Sequence, residues 1–297
     1  PCPHPLPRPL ASTLSYATET KPKKLLKNCD IENWDAKLLV DDISKRSQAM
    51  LLTSKPDAAA SPMAILAFRG AELPDDDGEG WLEFCPDWSR NVDFRQTQAP
   101  AGGTVAREFF HAWGRPEQNT ARMSLQADVM DAIREFSNEC GGRTVDLFVA
   151  GHSAGGALAQ VSLLDLLQAQ GKGAQPAVFR LRACLTLAQP RFCDKVHADK
   201  VIEAMKSIPL DILANEDITG VDPAVSVGGP WTKVPPGRFW RVYVGRTLTG
   251  PSVPPDGENV DPSLTHVGPV ALTRRLLMSL PLHWTGGRVG YLSALGA

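Results

Sequence analysis

The sequence predicts an α/β fold: a mostly parallel central sheet with helices on both faces. Three observations carry this reading. Apolar runs of strand length alternate with segments of helical periodicity through the middle of the chain, the pattern of parallel strands joined by crossover helices. Runs such as Met63–Phe68 are continuously apolar, as strands buried on both faces must be. Between one such run and the following helical segment lies Gly151-His152-Ser153-Ala154-Gly155, a sharp strand–turn–helix junction.

The elements follow in chain order. Five prolines, Pro1, Pro3, Pro5, Pro7 and Pro9, open the chain and predict an extended arm. The spacing of Leu38, Leu39 and Ile43 predicts a helix over about 35–50. Residues 1–60 thus read as an N-terminal extension, an arm and a helix packed on one compact catalytic domain over 61–297. Pro62–Phe68 reads as a buried strand ending at Arg69-Gly70. An acidic stretch, Asp75, Asp76, Asp77, Gly78, Glu79 and Gly80, then leads to Trp81, Leu82 and Phe84, a surface loop or an apolar-edged flap. Leu125, Val129, Ile133 and Phe136 form one stripe of a helix over about 122–139, ended by Gly141-Gly142. Val145–Ala150 is the next strand, Ala154–Gln170 the next helix, and Leu181–Ala188, Leu210–Ala214 and Phe239–Val244 are further strands, with a last helix over Leu272–Leu280.

Composition narrows the function. The 297 residues are 43% hydrophobic and 22% charged, ordinary for a globular protein and long enough to fold around a core without a metal or disulfide staple. Lys plus Arg number 31 and Asp plus Glu 33, a net charge of −2, which argues against a mainly electrostatic nucleic-acid binder. No apolar run reaches the ~18 residues of a membrane span. The six cysteines include no C-x-x-C pair, disfavouring zinc-ribbon and thioredoxin chemistry. Their even number is compatible with disulfides and equally with buried free thiols. Nothing in the sequence calls for a cofactor or a metal.

The junction at Ser153 has a physical logic. A serine at such a turn is held in a strained backbone conformation, and flanking glycines let strand and helix approach closely. The hydroxyl is lifted above the sheet edge, and the helix N-terminus, with its free N–H groups, is aimed at the reacting centre. The N–H of Ala154 is then placed to stabilise an oxyanion. No Gly-Lys-[Ser/Thr] follows, which excludes a phosphate loop. A serine nucleophile needs a base, and the base an orienting carboxylate. In folds with this turn they follow in the order Ser, Asp, His, which confines the search to residues after 153.

From about residue 62 onward the chain resembles the class 3, fungal-type lipases of the α/β-hydrolase superfamily. Phe68-Arg69-Gly70 is similar to the family's oxyanion strand end. Asp87-Trp88 through Asp93-Phe94 is similar to the segment after its lid. Gly103–Phe109 to Trp113 resembles its G-x-V-H-x-G-F block, with Ala106 in place of the His. Gly151–Gly155 fits the elbow, with Ala154 where Leu is usual, and Ala188-Gln189-Pro190-Arg191 resembles the G-x-P-R block. The resemblance implies a triacylglycerol lipase working through a Ser-Asp-His triad and an acyl-enzyme, with a lipid or ester substrate met at a lipid–water interface.

Asn215-Glu216-Asp217-Ile218 resembles the family's aspartate segment, and Asp217 also directly follows a predicted strand. Thr219-Gly220 stands where Val-Pro is usual, which leaves Asp222, and less so Glu216, as rivals. His283, ahead of Tyr291-Leu292, matches the family's late histidine. His266, in Thr265-His266-Val267-Gly268, resembles a strand preceding it and is the rival base. The resemblance places oxyanion donors at Ala71 and Ala154, although Ala71 lacks the hydroxyl the family usually has there. It places a lid over Glu72–Asp87, with Trp81, Leu82, Phe84 and Trp88 as apolar surface. Other expectations are a phospholipase, a feruloyl or short-chain carboxylesterase, or a non-catalytic lipase-like binding module.

Overall fold

A computed structural model of the chain describes residues 34–40, 48–56, 61–70, 95–100, 102–114, 124–172, 177–187, 189–206, 211–216 and 238–241. Seven strands make the central sheet: β1 (Trp34–Val40), β2 (Gln48–Ser54), β3 (Met63–Phe68), β6 (Val145–His152), β7 (Phe179–Leu187), β8 (Asp211–Glu216) and β9 (Arg238–Arg241), in that spatial order. The first two pairings, β1 with β2 and β2 with β3, are antiparallel. From β3 onward every pairing is parallel. A separate two-stranded ribbon pairs β4 (Gln96–Gln98) with β5 (Thr104–Ala106). The helices among the described residues are α1 (Arg107–Trp113), α2 (Leu125–Glu139), α3 (Ala154–Lys172) and α4 (Lys195–Lys206).

Residues 34–54 correct the sequence reading. In place of the helix expected over 35–50 there are two strands of the central sheet, paired from Trp34 opposite Ser54 to Val40 opposite Gln48. Leu38 and Leu39 pack into different clusters on opposite faces, as neighbours on a strand do and neighbours on one helical stripe do not. Asp35 and Lys37 are exposed between the half-buried Trp34, Ala36 and Leu38, the period of two that marks a strand.

The central strands are buried on both sides. Along β3, Ala64, Leu66 and Phe68 enter one cluster while Ile65 and Ala67 enter the other. All four described helices pack into the first cluster, through Phe109 and Trp113 of α1, Ile133 and Phe136 of α2, Leu163 and Leu167 of α3, and Val201 of α4. The helix predicted at Leu272–Leu280 lies outside the described residues. Helix α2 starts where Ser124 Oγ accepts from the Ala127 N–H at 3.2 Å, a cap whose loss costs about 1 kcal/mol. It ends at Gly141 and Gly142, both at positive φ.

The parallel strands all finish on one edge. Phe68 pairs with Gly151, His152 with Leu187, Leu187 with Asn215, and Glu216 with Arg241. Open α/β sheets bind ligands outside this carboxyl edge, and β6, the fourth of the seven strands, ends there at His152, directly before Ser153.

Candidate active site

Ser153 is the only non-glycine at positive φ among the described residues, at 55°, and it is 3% exposed. A left-handed backbone at a non-glycine residue costs of order 1–3 kcal/mol and persists only where its surroundings over-determine it. Three glycines supply that constraint. A Cβ on Gly151 would lie 2.1 Å from the Gly155 carbonyl oxygen, one on Gly155 would lie 2.3 Å from the Phe68 carbonyl oxygen, and one on Gly156 would lie 2.7 Å from Gln189 Cβ. The turn is therefore wedged between the end of β3 and the segment after β7. The Ser153 carbonyl accepts from Gly156 N at 2.9 Å and Ala157 N at 3.4 Å, closing the first turn of α3.

This arrangement does what the sequence motif requires. Ala154 is the first residue of α3, where backbone N–H groups lack helical partners and the helix dipole favours negative charge. Gly155 rests on Phe68 and Arg69, so the chain leaving β3 passes directly beside the serine. Two blocks noted in the sequence meet nearby. Val105 forms a bridge with Cys193, and Ala106 N donates to the Phe192 carbonyl at 2.6 Å.

Their junction is held by Asp194. Its carboxylate accepts from Thr104 N, Thr104 Oγ1 and His197 N, each at 2.8 Å, capping α4. Burial pushes this carboxyl up, but the His197 N–H and the two Thr104 donors outweigh burial and hold it below its ordinary value. His197 lies in the first turn of α4 and is buried against Phe192. Burial lowers its pKa, against the opposing charges of Asp194 and Asp165 and a Gly102 backbone hydrogen bond.

Of the predicted site residues, the structure describes Ser153 and Ala154 and brings them together at the β6–α3 turn. Asp217, His283, Ala71, Trp81, Leu82, Phe84 and Trp88 lie outside the described residues, as do Asp222 and His266. Strand β8 ends at Glu216 on the same sheet edge as Ser153. Among the described residues no cluster of His, Cys, Asp and Glu is fit to hold a metal ion, and no helix is long and apolar enough to cross a membrane. Cys140, Cys184 and Cys193 are buried free thiols. The sequence did not single out Gln160, which lies 0% exposed on α3 and is hydrogen-bonded to Gln189. A glutamine amid a helix's apolar residues was the available signal.

A seven-stranded, mostly parallel sheet with a strained serine between its central strand and a helix defines an α/β hydrolase. Within that class, residues 65–224 match the model of the family described as lipase (class 3), and the chain belongs to the class 3 lipases, a family of lipase-type ester hydrolases. Solved structures agree on the fold. The Rhizomucor miehei triacylglyceride lipase is 21% identical, with a TM-score of 0.55, over 91% of this chain and 90% of that one. Lipase II of Rhizopus niveus is 16% identical, with a TM-score of 0.54, over 86% and 87%. A triacylglycerol lipase described as having a serine-protease triad at its catalytic centre is 20% identical, with a TM-score of 0.56, over 91% and 90%. A comparison with curated proteins finds no match.

Proposed function

We propose that this chain is a serine ester hydrolase that cleaves acylglycerol esters through an acyl-enzyme on Ser153. The observation that carries the reading is the left-handed, buried Ser153 at the head of α3, strain that is kept where a nucleophile needs it. In this mechanism His283 takes the Ser153 proton as Oγ attacks the ester carbonyl, then returns it to the leaving alcohol. Asp217 fixes the imidazole tautomer and stabilises the imidazolium. The family match and the end of β8 one residue before Asp217, on the serine's edge, support that assignment. The N–H groups of Ala154 and Ala71 receive the oxyanion, and water releases the acyl group with His283 as base. Trp81, Leu82, Phe84 and Trp88 form the apolar face of a lid at the lipid–water interface. The −2 charge suits an uncharged ester.

The test is labelling with a fluorophosphonate and turnover of a chromogenic acyl ester. The protein is expected to label at Ser153 and to release alcohol in a burst, and Ser153→Ala to do neither. Activity rises through roughly pH 6 to 8 as the imidazole loses its proton. Folded protein that takes no label is a binding module, and the proposal then fails. Preference for soluble acetate esters over emulsified acylglycerols would overturn the substrate class.

A further inference from the structure

We infer that Gln160 and Gln189 form a buried clamp that sets the position of the Ser153 turn, which makes them positioning residues; their bearing on rate rests on the assignment of Ser153 proposed above. Gln189 Nε2 donates to Gln160 Oε1 at 2.9 Å, and the two residues are 1% and 0% exposed. The neighbours of Gln160 on α3 are apolar and buried: Ala157, Leu158, Ala159 and Val161. A leucine would fill such a place. A hydrogen bond in so dry a setting adds direction that packing lacks, and it is electrostatically stronger there than in water.

The contact reaches the elbow by a short route. Gly156 and Gln160 are one helical turn apart on one face of α3. At the height of Gly156, the helix lies so close to Gln189 that a Cβ would sit 2.7 Å from Gln189 Cβ and 3.5 Å from its Cα. Gln189 therefore meets α3 twice, by shape in its first turn and by a hydrogen bond in its second. Gln189 lies two residues beyond the end of β7, whose last residue, Leu187, pairs with His152. The clamp thus fixes the helix to the strand beside the serine. Ser153 sits at φ 55°, a conformation that relaxes once its surroundings no longer dictate it. Release of the first turn shifts Ser153 Oγ against the Ala154 N–H, and a displacement of about 1 Å in a catalytic constellation costs about 100-fold in rate.

The test compares Gln160→Leu, Gln189→Leu and the double variant by amide hydrogen exchange, thermal melting and ester kinetics. In all three, exchange at Gly156 and Ala157, whose N–H groups donate to the Ser153 carbonyl, is expected to quicken about tenfold or more relative to residues 161–167. The expected kcat falls about 10- to 100-fold, with KM within about twofold. Each single variant strands a buried partner and melts lower. The double variant removes both partners and regains most of that loss, yet its kcat stays low. This split separates positioning from mere packing, and the double variant decides the matter if a single one does not fold. Unchanged protection at Gly156 and Ala157, or recovery of kcat together with melting temperature, would overturn the clamp. If the wild-type protein turns over no ester and takes no fluorophosphonate, the enzymatic proposal falls, while the exchange comparison still decides whether the clamp holds the turn.

Discussion

Gly155 stands so close to Phe68 that a Cβ on the glycine would lie 2.3 Å from the Phe68 carbonyl oxygen, with the Arg69 carbonyl carbon and oxygen each at 2.8 Å. The obstacles are backbone atoms of the sheet, which cannot swing aside as a side chain would. Gly155→Ala is expected to push α3 off the end of β3, costing about 2–3 kcal/mol of stability and slowing fluorophosphonate labelling about 100-fold. Gly141→Ala is the control. It meets nothing within 4 Å but sits at φ +74°, so conformational strain alone costs about 1 kcal/mol and labelling is unchanged. Urea denaturation and labelling rates check both. Equal effects from the two substitutions would show that the close approach at Gly155 has no special importance.

The strain at Ser153 can be measured directly. Ser153→Ala and Ser153→Gly both delete the hydroxyl and are expected to abolish turnover, but only glycine adopts φ near 55° without steric cost. Part of that relief is offset by glycine's greater freedom in the unfolded chain. The glycine variant is expected to be more stable than the alanine variant by about 1 kcal/mol. Equal stabilities in urea would mean that the turn stores no more strain than glycine's freedom in the unfolded chain offsets.

What the sequence made legible depended on how local each signal was. Strands β3 and β6 announced themselves as unbroken apolar runs, and α2 and α3 by a stripe or a small-residue entry. The serine turn was legible because glycine is demanded by contacts within a few residues, as between Gly151 and Gly155. Strands β1 and β2 were missed because a long-range fact decides them: the pairing of 34–40 with 48–54 and onward to β3. Leu38, Leu39 and Ile43 fit a helical spacing by chance. The Gln160–Gln189 bond spans 29 positions, and no local pattern reports it. For the proposed triad, Ser153 rests on geometry, while Asp217 and His283 rest on chain order and family likeness.

The buried cysteines are expected to be unreactive in the native state. Burial pushes the Cys184 thiol up to about 12, and it raises Cys193 as well, with the Asp194 charge adding to the effect. An ordinary thiol titrates near 8.5, and only the thiolate attacks an alkylating agent. Iodoacetamide at pH 8 should leave Cys140, Cys184 and Cys193 unmodified in the folded protein and alkylate all three after denaturation, read by peptide mass mapping. Rapid alkylation of Cys184 in folded protein would contradict its burial.

Acid is expected to loosen the junction between the β4–β5 ribbon and α4, and the sign follows from two groups. The Asp194 carboxyl is held below its ordinary value by the His197 N–H and the two Thr104 donors. Its unfolded counterpart titrates near 3.9. Its contribution is therefore fully present above that pH and is lost as pH falls through the native value. The His197 imidazole is also lowered, by burial, so the unfolded chain takes up that proton first. That contribution is complete above roughly pH 6.5 and declines as pH drops toward the native value. Asp194→Asn keeps a capping oxygen for the His197 N–H but loses the charge and the second oxygen, which accepts from both Thr104 N and Thr104 Oγ1. It should cost about 1–2 kcal/mol at pH 7, with the gap to wild type closing below pH ~3.9. His197→Phe, which keeps a ring beside Phe192, should flatten the decline that begins near pH 6.5. Urea titrations from pH 7.5 to 3 read both limbs. A gap at Asp194→Asn that stays constant down to pH 3 would show that its carboxylate charge contributes nothing to the junction.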